Sequence, residues 1–297
     1  MLCGVEAITP QDKANCLALQ FEKIHNIDII NNTEEQQDVI DTVKKFIAES
    51  NTNDAHKYYT NPKEILTEIK KLPSRKAPGL DNIQNIILKN LPRKAIIKIM
   101  YIINASIKLA HFTSHWKSGL ISPILKSGKK SNELGSYRPI SLLCTLSKLV
   151  EKIILIRLNK FEQEHKIIID EQFGFRQNHN TVQQVTRISN DISINFNYNK
   201  VTVMALLDIE KAFDKVWIDG VIYKMIQYGY PTTLIKFINY YLRNRHLIVK
   251  VEDAVSSKRR IGAGVPQGSV LGPKLFTIFV NDIPMFGKTK TALSIRR

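Results

Sequence analysis

The sequence predicts an α+β fold in which helices lead into a sheet, and three observations carry that reading. Apolar residues recur at helical spacing through much of the first 160 positions of this 297-residue chain. Strand-like runs follow at 201–208, 246–251 and 258–262. A hydrophobic fraction of 43% against 24% charged residues is that of a chain with a substantial core.

The elements fall in a definite order. Residues 1–60 read as a short helical N-terminal extension, and 61–297 as the main unit. Thr33-Glu34-Glu35-Gln36 has the capping-box form, with Val39, Ile40, Val43, Phe46 and Ile47 following at helical spacing. Ser50 to Tyr59 is polar and reads as a linker. Asn61 as N-cap, Pro62 at the first helical position and Glu64 open a second helix, faced by Ile65, Leu66, Ile69 and Leu72 and stopped by Pro73. Ser74 to Asp81 is a basic turn. Ile96 to Phe112 is a strongly apolar helix, and Trp116 to Leu125 a short strand broken by Pro123. Leu142 to Phe161 places a long apolar stripe on one helical face. Val201 to Leu207 reads as a strand buried on both faces. Val270 to Ile283 reads as a final helix, with Pro273 tolerated in its first turn.

Charge narrows the function. The chain carries 43 Lys and Arg against 27 Asp and Glu, a formal net charge of +16. Residues 1–60 hold 10 acidic and 5 basic side chains. The remainder, with 38 basic and 17 acidic, is the part that attracts a polyanion, and nucleic acid is the usual one. No apolar run reaches the ~18 residues a membrane span needs, so no membrane partner is expected. Met1 to Glu6 lacks a basic stretch followed by an apolar one, and Cys3, Cys16 and Cys144 are scattered. Both features predict an intracellular chain with reduced thiols.

The chemistry concentrates in Leu206-Leu207-Asp208-Ile209-Glu210-Lys211-Ala212-Phe213-Asp214. An apolar strand ending in Asp208 brings a carboxylate to the rim of a sheet, where a divalent metal or a polar turn uses it. His111 and His115 are four apart, but no cysteine or glutamate accompanies them, so packing or surface positions are the simpler reading. Gly264 and Gly268 flank Gln267, which lets the backbone approach a ligand there.

Five segments in order resemble the reverse-transcriptase domain of non-LTR (LINE-type) retrotransposons, of the jockey-like kind. They are Lys76-Ala77-Pro78-Gly79-Leu80-Asp81, Tyr137-Arg138-Pro139-Ile140-Ser141-Leu142, Glu171-Gln172-Phe173-Gly174-Phe175-Arg176, the Asp208 segment, and Gly264-Val265-Pro266-Gln267-Gly268-Ser269-Val270-Leu271-Gly272-Pro273. The resemblance covers roughly residues 60 to 293. It implies a right-hand polymerase, with fingers and a partial palm behind the helical N-terminal segment. It implies RNA-directed DNA synthesis from an RNA template, a DNA primer and deoxynucleoside triphosphates, with two Mg2+ (or Mn2+) ions in the intact enzyme. A group II intron maturase-like polymerase is the nearest alternative within the same palm logic.

The resemblance also assigns residues. Asp208 is the catalytic metal ligand, and the amides near Ile209 and Glu210 receive the triphosphate. Phe213 is the ring that excludes a 2′-hydroxyl, and Asp214 a structural residue bonding nearby backbone. Arg138 grips the triphosphate, a task suited to a planar guanidinium, and Lys126 is the basic residue of the preceding turn. Gln267 touches the nucleotide near its sugar. Arg176 contacts template phosphates or supports the fingers, and Lys258, Arg259 and Arg260 contact duplex backbone or protect a sheet edge.

One part of the family pattern is missing. A Tyr/Phe-Ala-Asp-Asp hairpin follows the Asn281–Pro284 segment in the family, whereas this chain runs on through Ala292-Leu293 to Ser294-Ile295-Arg296-Arg297. The expectation is a palm without its catalytic hairpin and without a thumb. Such a chain is catalytically inactive by itself, and a non-catalytic nucleic-acid-binding remnant is the alternative. The 201–207 strand would lack its family neighbour and lie open as a sheet edge.

Overall fold

A computed structural model describes residues 9–26, 33–131 and 133–283. Ten helices and five strands fall among them. They are α1 (Pro10–Ile24), α2 (Glu34–Glu49), α3 (Pro62–Lys71), α4 (Asn85–Lys89), α5 (Arg93–Lys108), β1 (Ser118–Leu125), β2 (Tyr137–Leu142), α6 (Thr145–His165), α7 (Thr181–Asn197), α8 (Ile218–Gln227), α9 (Thr232–Leu242), β3 (Arg245–Val251), β4 (Ala254–Val255), β5 (Arg259–Ile261) and α10 (Gly272–Phe279). The α+β class stands. The sheet is mixed, in the order β2-β1-β3-β4, with β5 also on β3. β1 runs antiparallel to β2 and parallel to β3. Pro123 sits within β1, opposite Pro139 of β2, and shortens neither strand.

Local chemistry accounts for the helix starts. Thr9 caps α1 in a reciprocal box with Asp12, and Pro10 occupies its first turn. The Thr33 side chain accepts from Gln36 N, and the Asn61 side chain from Glu64 N. α6 ends where Lys166 turns left-handed at φ 51°. Helices α3, α5, α6, α8, α9 and α10 share one large core that includes Ile65, Ile103, Ile153, Ile222, Phe237 and Phe276. A smaller core lies on the sheet, where Leu17, Ala18 and Phe21 of α1 cover Ile121, Leu247 and Val249.

Arg157 of α6 fastens the polar stretch before α3. Its guanidinium donates to both carboxylate oxygens of Glu64, at 2.6 and 2.7 Å, and to the carbonyls of Tyr58 and Tyr59.

One expectation is overturned. Residues 201–207 form no strand. They run exposed, with Val201 90% and Leu207 91% accessible. A strand needs a neighbour to take its N–H and C=O groups, and no described strand pairs with this run. The final helix is also shorter than its apolar pattern, ending at Phe279. Helices α1, α4, α7, α8 and α9 add to those the sequence pattern marked.

Candidate nucleotide and nucleic-acid site

The site is built around two turns held against each other. The first follows Asp208: residues 210–215 turn back on themselves, with Asp214 N and Lys215 N donating to Lys211 O at 2.9 and 3.0 Å. Lys211 takes φ 53° to close it. The second is the loop 264–268. Gly264 N donates to Val216 O and Val265 N to Phe213 O, both at 2.8 Å. Gly264 has φ 86°, and a Cβ there would stand 2.5 Å from Asp214 O. Gly268, at φ 100°, would place a Cβ 2.7 Å from Ser141 O. Only glycine fits either position, because backbone occupies the space and φ is positive.

These contacts bring the motifs together. The Gln267 carbonyl accepts from Ser141 N of β2 at 2.9 Å, and its side-chain amide donates to Asp214 Oδ1 at 2.6 Å. Phe213 is half-buried, stacked on Phe276 with ring centroids 5.0 Å apart and met edge-on by Phe175 at 5.7 Å. A Cβ on Gly79 would stand 2.5 Å from Cys144 N, so the 76–81 turn lies against the junction of β2 and α6. Burial, followed by the Asp81 carboxylate, pushes the Cys144 thiol up to about 11. The five segments singled out in the sequence are thus joined in a chain of contacts, from the 76–81 turn by way of Leu143 and Cys144 to β2, the 264–268 loop, the Phe213 turn and Phe175.

Beneath the loop, α6 sends up a buried carboxylate. Glu151 accepts from Val270 N at 2.7 Å and Leu271 N at 3.3 Å, at the entry to α10. Burial raises its pKa, against the opposing pull of the Arg245 charge and the two amides.

Sequence reasoning did not single out Glu151, nor His25. The His25 imidazole, at the end of α1, places Nε2 3.3 Å from Asp214 Oδ1. Asp214 bonds to side chains here, not to nearby backbone as expected. A small cleft of about 20 Å3 opens beside them, lined by His25, Ser141, Asp214, Arg245, Gly264 and Gln267 among others.

The remaining residues are placed as follows. Asp208, Ile209 and Glu210 are exposed at the start of the first turn. Lys211, by hydrogen bond and charge, then Lys215 and Lys126, hold the Glu210 carboxyl below its ordinary range. Lys126 donates to Gly135 O at 2.9 Å, closing the turn between β1 and β2. Arg138 is exposed on β2 opposite Ile124. Arg176 points back into its own loop, to Ile169 O at 3.0 Å and Asp170 at 3.5 Å. Arg259 pairs with Glu22 of α1 at 3.6 Å, while Lys258 and Arg260 are exposed. No group of three or more His, Cys, Asp or Glu side chains able to hold a metal occurs among the described residues. Asp208 by itself does not match a two-ion site. Among the same residues, no helix is long and apolar enough to cross a membrane.

The ordered motifs and their meeting point agree with a wider comparison. A family model described as reverse transcriptase (RNA-dependent DNA polymerase) matches residues 124–292, more than half of the chain. The chain belongs to the reverse transcriptase family. The reverse transcriptase chain is 38% identical over 281 residues to a probable RNA-directed DNA polymerase from transposon BS of Drosophila melanogaster, covering 95% of this chain and 30% of that protein. It is 40% identical over 221 residues to the RNA-directed DNA polymerase from mobile element jockey of the same species, covering 74% and 24%. The corresponding protein of the X-element is 39% identical over 236 residues, covering 78% and 26%. The reverse transcriptase chain thus spans less than a third of the length of these relatives, and its kinship is with the jockey-like non-LTR type.

Proposed function

We propose that this chain is the fingers and part of the palm of an RNA-directed DNA polymerase, and that residues 208–214, 138–141 and 264–268 form its deoxynucleotide pocket. The observation that carries the reading is the stitching of the Phe213 turn to the Pro-Gln-Gly loop, with Gln267 held by Asp214 at 2.6 Å. In this reading the half-buried Phe213 ring presents a fixed face to the sugar. Its backing by Phe276 suits that role, since a rigid apolar wall discriminates by shape, though by only about 100-fold against a single hydroxyl. Gln267 contacts the nucleotide near the sugar, and Arg138 and Lys126 supply cations for the triphosphate. The Ile209 and Glu210 amides face the same phosphates. Asp208 supplies one oxygen ligand for Mg2+, which would polarise the phosphate when bound. The described residues do not complete that ion's site.

A second reading is favoured because, among the described residues, Asp208 joins no cluster of three or more metal-ligating side chains: the chain binds RNA or primer–template without chemistry. Two measurements separate the readings. Affinity for an RNA template annealed to a DNA primer should fall steeply with salt, with a log–log slope steeper than about −3. Flat or absent binding would overturn both. Primer extension with Mg2+ and deoxynucleotides that stays at background beside salt-steep binding would favour the second reading. Clear synthesis that is lost in Asp208→Asn would establish the first reading over the second.

A further inference from the structure

We propose that His25 is a positioning residue of the nucleotide pocket, acting through Asp214 to fix the orientation of Gln267. The inference rests on the reading of Gln267 as a nucleotide contact, but its geometry stands by itself. His25 is the C-cap residue of α1 and only 6% exposed. Its Nδ1 lies 2.7 Å from Phe21 O, a carbonyl that only accepts, so Nδ1 carries a hydrogen and donates. Its Nε2 faces Asp214 Oδ1, a second acceptor, at 3.3 Å, so Nε2 donates to it as the imidazolium, with a hydrogen on each nitrogen. That same oxygen receives the Gln267 amide at 2.6 Å. Asp214 is itself only 4% exposed. A buried carboxylate with one partner removed keeps the cost of burial and loses direction. The Gln267 amide and the imidazolium Nε2–H converge on one oxygen and hold the carboxylate in a single rotamer, and the carboxylate in turn holds the glutamine.

α1 is fixed well enough to do this. Leu17, Ala18 and Phe21 pack onto Ile121, Leu247 and Val249. Gln11 donates to Val255 O at 2.8 Å, Asn15 accepts from Ser257 N at 3.3 Å, and Glu22 pairs with Arg259. The imidazole also sits at the negative end of the helix, where a donor or cation is favoured. Residues 10–25 lie outside the 124–292 match, so this contribution comes from the segment ahead of it.

The test uses the full chain with His25→Ala and His25→Gln, the latter keeping an amide donor toward Asp214. Hydrogen exchange is read residue by residue, with global melting alongside. In His25→Ala, amides in 264–268 should exchange about tenfold faster, the equivalent of one lost hydrogen bond to a charged group. Exchange in α6 and α9 should be unchanged, and His25→Gln should restore most of the protection at 264–268. Unchanged exchange at 264–268, or acceleration spread evenly through the chain, would overturn the proposal. A parallel titration with a deoxynucleoside triphosphate on primer–template separates the two claims. If wild type shows no nucleotide binding while the exchange pattern holds, the pocket assignment fails and the positioning contact survives.

Discussion

Lys117 shows at the scale of one residue how this chain tolerates positive charge. It is 4% exposed, just ahead of β1, with its ammonium 4.3 Å from the Tyr240 ring centroid. Burial first, and the Arg245 charge second, lower its pKa from 10.5 to about 8. A lysine with a depressed folded pKa carries a penalty while it is protonated in the fold. The unfolded chain binds the extra proton between pH 8 and 10.5, so stability rises with pH across that window. Lys117→Met, which keeps the volume, is expected to stabilise the protein by about 1–2 kcal/mol at pH 7. The gain should vanish above pH 10.5, as read by urea unfolding at several pH values. An equal gain at pH 7 and pH 11 would show that packing, not charge, sets the cost.

At the scale of an element, the exposed run 201–207 and the packed, partly buried loop 264–268 differ in what they hold together. Val203→Lys and Leu207→Lys are expected to alter unfolding free energy by less than about 0.5 kcal/mol, because neither side chain is buried. Both should lower self-association in light scattering, since an apolar run with free backbone groups invites pairing. A loss above about 2 kcal/mol would mean that the run is packed after all. The same contrast shows what the sequence disclosed. Helix starts at Thr33 and Asn61 were legible because their caps are local, a side chain accepting from an amide three residues on. The glycines around Gln267 were legible because only glycine fits there. The 201–207 run misled because periodicity reports side chains but never says which strand will pair. Glu151 and His25 stayed hidden because their partners lie about 120 and 190 residues away, and nothing local in the chain marks the meeting.

Across the whole molecule, the N-terminal helix joins the body through a small core of its own. Phe21 is fully buried there against the sheet. Phe21→Ala is expected to cost about 3 kcal/mol, the usual range for truncating a buried phenylalanine. It should lower the midpoint of one cooperative transition in calorimetry. A separate early transition, with the main one unmoved, would show that α1 unfolds by itself. The basic surface acts at the same scale. With 43 Lys and Arg in 297 residues, affinity for nucleic acid should be set by many weak contacts, so no single exposed lysine should dominate it.

The docking of α1 on β3 also sets a clock on synthesis. Residues 10–24 are made before their partners, and Leu247 and Val249, which cover them, follow more than 220 residues later. At translation rates of about 5–20 residues per second, Leu17 and Phe21 wait roughly 10–50 s for their partners. During that interval an amphipathic helix stands with its apolar face uncovered, and the nascent chain is open to capture by a chaperone until the third strand emerges.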